Sequence, residues 1–273
     1  MVLSALHVYP VKSLRGCVVE VADVDDLGLV GDRRFLVVDQ DGRFLTQRAV
    51  PRMALVETSL TPDALTLAEA SRGSISVRRD ADPAAPLRTV SVWRSEGLLA
   101  EDCGDDVAAW LGEVLHLPCR LVRIGQKFIR PVLKQTAGPG DRVGFADAFP
   151  FLVVSEASLA DLNDRLLERG EAPVPMNRFR PNLVVSGCAA FDEDRWPRVR
   201  IGDITFRAGG PCTRCILTTT DQETGQRGKE PLRTLATYRR NATDPTDVDF
   251  GQNLIHETKS GRLRVGDRVE PLG

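Results

Sequence analysis

Six cysteines punctuate the 273-residue chain, at positions 17, 103, 119, 188, 212 and 215, and only the last two lie close together. The segment Pro211-Cys-Thr-Arg-Cys215 is a C-x-x-C motif, a spacing that serves zinc, iron–sulfur clusters or dithiol exchange, or nothing at all. A structural zinc site needs four ligands, and the three histidines, His7, His116 and His256, stand apart from one another and from any second cysteine pair. The scattered remaining cysteines lack the close spacing of a four-cysteine iron–sulfur site. Dithiol exchange places its cysteine at the start of a helix, whereas the β-branched run Ile216-Leu-Thr-Thr-Thr220 predicts a strand. Spacing alone leaves two readings open: one functional thiolate beside the cationic Arg214, or two inert cysteines at a strand start. Cys17, Cys119 and Cys188, each among apolar neighbours, read as small core hydrophobes.

The elements that must position this segment are mostly strands. In the first half, Phe35-Leu-Val-Val-Asp39 and Phe44-Leu-Thr46 flank Asp41-Gly42, a hairpin signal. Short strands are also expected at 54–56, 65–67, 75–77 and 90–93. Val107, Leu111 and Val114 then recur at helical spacing behind Asp105 and stop before Pro118, predicting a helix that closes the first half. The breaker-rich stretch from 119 to 140 has no clear periodicity and suggests two domains, 1–125 and 126–273. In the second, Ser158-Leu-Ala-Asp161 has capping-box spacing, Leu159, Leu162 and Leu166 share a helical face, and Gly170 suits its stop. Another helix is expected from Pro231 to about Arg240. Strands are expected at 182–185, 204–206, 216–220 and 263–269, with spacing that favours a closed or nearly closed barrel over a βαβ sheet.

Composition narrows the function. With 36 basic and 38 acidic residues the formal charge is -2, so no global field draws the chain to nucleic acid or an anionic membrane, and any anion site must be local. The start has neither a basic leader nor an apolar core with a cleavage site, and no segment reaches the length of uncharged residues that a membrane span requires. The expectation is a cytoplasmic protein without a membrane anchor, its thiols reduced.

The surroundings of the C-x-x-C motif extend the reading. Gly209-Gly-Pro-Cys-Thr-Arg-Cys-Ile-Leu-Thr-Thr-Thr-Asp-Gln-Glu-Thr-Gly225 resembles the signature of the MOSC domain. Val8-Tyr-Pro-Val-Lys-Ser13, Asp32-Arg33, Leu45-Thr46-x-Arg48, Ser155-Glu-Ala-Ser-Leu159, Arg178-Phe-Arg-Pro-Asn-Leu183, Lys229-Glu-Pro-Leu232 and Phe250-Gly-Gln252 resemble blocks of the mitochondrial amidoxime-reducing component, in order along essentially the whole chain. Many weak blocks in register make coincidence a poor explanation.

This resemblance implies an α+β, mainly β fold: an N-terminal MOSC β-barrel domain packed on a MOSC β-barrel domain with peripheral helices, and a molybdenum-molybdopterin cofactor between them. It implies Cys215 as metal ligand, in keeping with the affinity of thiolates for such metals, and Cys212 as structural. It implies that Lys12, Ser13, Arg33, Arg180, Asn182, Thr213, Arg214 and Asn253 bind the pterin and its phosphate, the local anion site that the neutral global charge demands. Asp147 becomes a candidate general acid or a cofactor-bonding residue. The chain departs from the family pattern at Ala148 and Phe149, where animal members carry small hydroxyl residues, and at Asn253, where an animal member has an aromatic one. The implied activity is reduction of N-hydroxylated compounds such as amidoximes, hydroxylamines and N-hydroxylated bases, with electrons from a separate ferredoxin, flavoprotein or cytochrome. The alternative is a non-catalytic cofactor-binding or sulfur-handling MOSC module.

Overall fold

The computed structural model describes residues 1–273. Its largest sheet has eight strands in the order Val269–Leu272, Arg198–Ile201, Ile204–Arg214, Val248–His256, Phe151–Ser155, Leu183–Ser186, Val2–Val8 and Cys17–Val19. Every pairing is antiparallel except Phe151–Ser155 with Leu183–Ser186. That parallel pair is joined through the helix Glu156–Glu168, as a parallel connection requires. The sheet curls round to meet itself: Val2 bridges Arg268, and the amides of Leu3 and Val269 donate to the carbonyls of Asp267 and Met1 at 2.9 and 3.0 Å. Inside lie Leu3, Leu6, Phe151, Val153, Phe206 and Leu254, all buried.

A four-stranded sheet of Phe35–Val38, Arg120–Arg123, Ser95–Asp102 and Leu87–Val92 and a meander of Glu57–Leu60, Ala64–Glu69 and Gly73–Arg78 build the other half. The helix Asp105–Leu115 forms as its apolar spacing predicts, burying Val107, Leu111 and Val114 against Phe35, Leu65 and Leu121. The expected mainly β architecture with peripheral helices is thus present. Chain order and spatial order part at the N terminus, because Val2–Val8 and Cys17–Val19 belong to the large sheet and Val21–Asp25 pairs with Gly261–Arg264. The halves are also tied by a reciprocal amide pair, Gln47 with Gln222, at 3.1 and 3.0 Å. No helix is long and apolar enough to cross a membrane.

Several local expectations need correction. The Asp41-Gly42 turn forms, with Gly42 at φ 76°, but its return strand shrinks to one bridge between Val38 and Phe44. Residues 54–56 end a 3-10 turn, Pro51–Leu55, and the strand follows at Glu57–Leu60. The helix of the second half starts three residues early, because Ser155 rather than Ser158 is its cap and accepts the Ser158 amide at 3.0 Å. The helix after Pro231 is only Leu232–Leu235. The region 263–269 divides into Gly261–Arg264 and Val269–Leu272. The strand expected at 216–220 is a 3-10 turn, Ile216–Thr219: the Thr218 and Thr219 hydroxyls donate to the carbonyls of Cys215 and Ile216, three residues back, at 3.0 and 2.8 Å.

Candidate active site

The long strand Ile204–Arg214 carries the C-x-x-C segment and loses register against Val248–His256 twice, between Ala208 and Gly210 and between Pro211 and Thr213. Such bulges re-aim side chains, and Gly210 supplies the backbone freedom with φ 109°. Asn253 braces the distortion, its amide donating to the carbonyls of Gly210 and Pro211, both at 3.1 Å. The ring of Phe149 lies across Gly209, where a Cβ would come within 2.6 Å of it.

The strand end faces a cleft between the two halves, lined by all ten site residues expected from sequence: Lys12, Ser13, Arg33, Asp147, Arg180, Asn182, Thr213, Arg214, Cys215 and Asn253. Three of them, Ser13, Arg33 and Arg180, hold positive φ angles of 67°, 46° and 56°, in the left-handed region that costs a side-chain-bearing residue energy. Strain of this kind gathers where surrounding structure over-determines a functional geometry.

The guanidinium groups of Arg33 and Arg180 lie 4.4 and 4.2 Å from the ring centre of Tyr9, against which both stack. Tyr9 is fixed in turn, its amide donating to Asp32 at 2.8 Å and its hydroxyl to the Pro181 carbonyl at 3.1 Å. Arg33 is compensated, donating to Asp32 at 2.7 Å and to Asn182 at 2.9 Å. Arg180 is not. It is 7% exposed, its side chain donates no hydrogen bond, and its Nη2 is buried without a partner. Burial pulls it down to about 10. Arg214 donates to the Phe179 carbonyl at 2.7 Å and to Cys212 Sγ at 2.8 Å, but its buried Nε is unpartnered.

At the mouth, Asp147 contacts Lys12 and accepts from Arg48 at 2.9 Å and from the Trp93 indole at 3.1 Å. Partial burial would raise its carboxyl, but Lys12 and Arg48 outweigh that and hold it well below the usual carboxylate range. Its side chain keeps 49% of its surface open, so water screens part of this attraction. Lys12 is buried, which lowers its ammonium to about 8 despite the nearby carboxylate. Held between these cations, the Asp147 carboxylate accepts hydrogen bonds and orients its neighbours.

Arg48 was not among the expected site residues. Its Nε donates to Cys215 Sγ at 3.1 Å and its guanidinium stacks 4.7 Å from the Trp93 ring centre. Its presence in the Leu45-Thr46-x-Arg48 block was the available signal; Trp93 had none. Thr213 is turned to Asp249 at 3.3 Å, and burial pushes the Cys212 thiol up, among the apolar neighbours of Phe179 and Phe250.

Five cations therefore line the cleft, Lys12, Arg33, Arg48, Arg180 and Arg214, against Asp147 and the adjoining Asp32. Buried charges without partners are costly, and orphaned Nη2 and Nε donors beside a thiol fit a multiply charged anion attached to a thiophilic group. A phosphate-bearing metal cofactor has that chemistry.

Comparison with known sequences shows the family. Residues 1–118 match the MOSC N-terminal beta barrel domain and residues 140–270 the MOSC domain. The chain belongs to the MOSC-domain family. It is 38% identical to mitochondrial amidoxime-reducing component 1 of Mus musculus, over 99% of this chain and 82% of that protein. The Homo sapiens component 1 is also 38% identical, over 99% and 83%, and component 2 of Bos taurus is 35% identical, over 98% and 82%.

Proposed function

We propose that this chain is a molybdenum-cofactor-dependent reductase that removes oxygen from N-hydroxylated compounds such as amidoximes, hydroxylamines and N-hydroxylated bases. The observation that carries the reading is the gathering of Cys215 and a surplus of cations, two with orphaned buried donors, on one cleft. The relatives' printed name, amidoxime-reducing component, points the same way.

Cys215 would hold the metal, and Lys12, Ser13, Arg33, Arg180, Asn182, Thr213, Arg214 and Asn253 would hold the pterin and its phosphate. When bound, the group supplies two-electron oxygen-atom transfer at the metal. The chain's own residues bind, orient and handle the proton. Arg180 and Arg214 offer their free donors to the phosphate, while Tyr9 and Asp32 keep Arg33 and Arg180 from swinging away. Arg48 offers positive charge to the Cys215 sulfur. Asp147 holds Arg48 and Lys12 in place, and the Lys12 ammonium is a proton-bearing group at the cleft mouth. Electrons would come from a separate redox protein, since the scattered cysteines of these 273 residues offer no four-cysteine cluster spacing.

The test is metal and pterin analysis of protein made in a cofactor-competent host, with benzamidoxime reduction driven by a chemical reductant or an added redox protein. About one molybdenum per chain is expected, given one ligating thiolate. Cys215→Ser should abolish turnover and Cys212→Ser should largely spare it. Zinc or iron alone, or equal losses in two folded variants, would overturn the assignment. Bound cofactor with no turnover under any reductant would leave a binding module.

A further inference from the structure

Beside the cofactor cleft, and continuous with it through Asp147 and Ala148, lies a second hollow of about 710 Å³ to which no role has been given. Part of its wall is apolar: Phe44 and Trp93 meet at 5.0 Å between ring centres, and Leu133 and Val143 also line it. Trp93 and Leu133 are 47% and 59% exposed.

The backbone makes Trp93 more notable. It occupies the tight connection between Leu87–Val92 and Ser95–Asp102 with φ 55°, a conformation suited to Gly, Asn or Asp and strained for a bulky residue. The strain places the indole where Arg48 covers it and its Nε1 reaches Asp147. The fold thus maintains an aromatic plate at the junction of the two hollows.

The polar complement is one-sided. Arg94 and Lys134 line the hollow and are both exposed, and neither forms an ion pair or a side-chain hydrogen bond. The other cation, Arg130, is buried and spends its donors on Ser95 and the carbonyls of Gly144, Ala146 and Asp147.

We propose that this hollow is the substrate subsite of the reductase, and that it selects flat aromatic N-hydroxylated compounds carrying an anionic substituent. The ring stacks on Trp93 and Phe44, the anionic group lies toward Arg94 and Lys134, and the N-hydroxyl end points past Asp147 into the cofactor cleft. This rests on the reductase reading, so the test includes a readout that needs no turnover.

Calorimetric titration of the holoprotein with 4-carboxybenzamidoxime and with benzamidoxime measures the subsite directly. The carboxylate should bind about threefold to tenfold more tightly, as expected of two exposed charge pairs. The preference should vanish in Arg94→Gln/Lys134→Gln and reverse in Arg94→Glu/Lys134→Glu, with both residues exposed and the fold expected to tolerate each change. Phe44→Ala should weaken both ligands alike. Equal affinities in the parent protein, or a preference that survives the double substitution, would overturn the proposal. Selective binding without turnover would uphold the subsite and count against the reductase; turnover without selectivity would do the opposite.

Discussion

Two clusters of buried charge in this molecule are built on opposite plans. In the N-terminal half, Asp102 accepts from Arg120 Nε and Nη2 at 2.6 and 2.8 Å, from the Gly104 amide at 2.8 Å and from Arg88, while Arg123 meets Glu101 at 2.9 Å. Burial alone would raise the Asp102 carboxyl, but these partners bring it down to about 2. In the cleft, Arg180 and Arg214 keep orphaned donors and Lys12 is depressed to about 8. The first cluster is complete within the chain. The second is completed only by something brought to it, which is how a binding site differs from a brace.

The comparison can be broken first at the brace. Asp102→Ala removes the carboxylate shared by Arg88 and Arg120, leaving Arg120 with Asp105 alone and Arg88 to solvent, and should destabilise the fold by about 1.5–3 kcal/mol, read by denaturant unfolding. A loss below about 1 kcal/mol would mean that water compensates the cluster.

In the cleft, Arg180→Met should do the reverse. It removes an uncompensated buried cation, so the cofactor-free chain should unfold at an equal or higher temperature. Charge-assisted bonds contribute about 1.5 to 3 kcal/mol, so cofactor affinity should fall about tenfold or more. A drop in stability with unchanged occupancy would make Arg180 a brace too.

The smallest effect is a pH limb. Because the Lys12 ammonium is lowered to about 8, its charge is full below that value and is lost as pH rises through it. Affinity for the phosphate-bearing cofactor should therefore weaken above pH 8, by at most about tenfold per pH unit, with Asp147, Arg48 and Arg130 as the charges around it. Lys12→Arg should flatten the limb between pH 7.5 and 9.5; an unchanged limb would assign it to another group.

What was legible in the sequence follows the same division. Eight of the ten cleft residues came from motif blocks, and Asp147 and Asn253 came from their places in the family that the sequence resembles. The helix Asp105–Leu115 came from periodicity, since its buried face has one period. The turn Ile216–Thr219 did not, because β-branching describes a residue's own preference and not the carbonyls its hydroxyl will find. The same limit moved a helix cap from Ser158 to Ser155, two serines whose hydroxyls lie 2.7 Å apart and differ only in tertiary setting. Arg48 stood in a motif block but was given no role in the site, and Trp93 stood in none; their contacts with Cys215 and Asp147 are tertiary, across 167 and 54 positions.

The placement of Val2–Val8 in the large sheet has a consequence for how the molecule is made. Val2–Val8 is synthesised long before its main partner, Leu183–Ser186, and the residue that bridges its outer end is Arg268. Until those residues exist it waits as an open edge, with Val21–Asp25 waiting beside it for Gly261–Arg264. The residues around Phe35 and Leu111 can collapse early, but the large sheet cannot be completed until residues 269–272 have been made. Nascent chains stalled before residue 183 should hold residues 1–25 accessible to protease, and chains with residues 1–272 free of the ribosome should not.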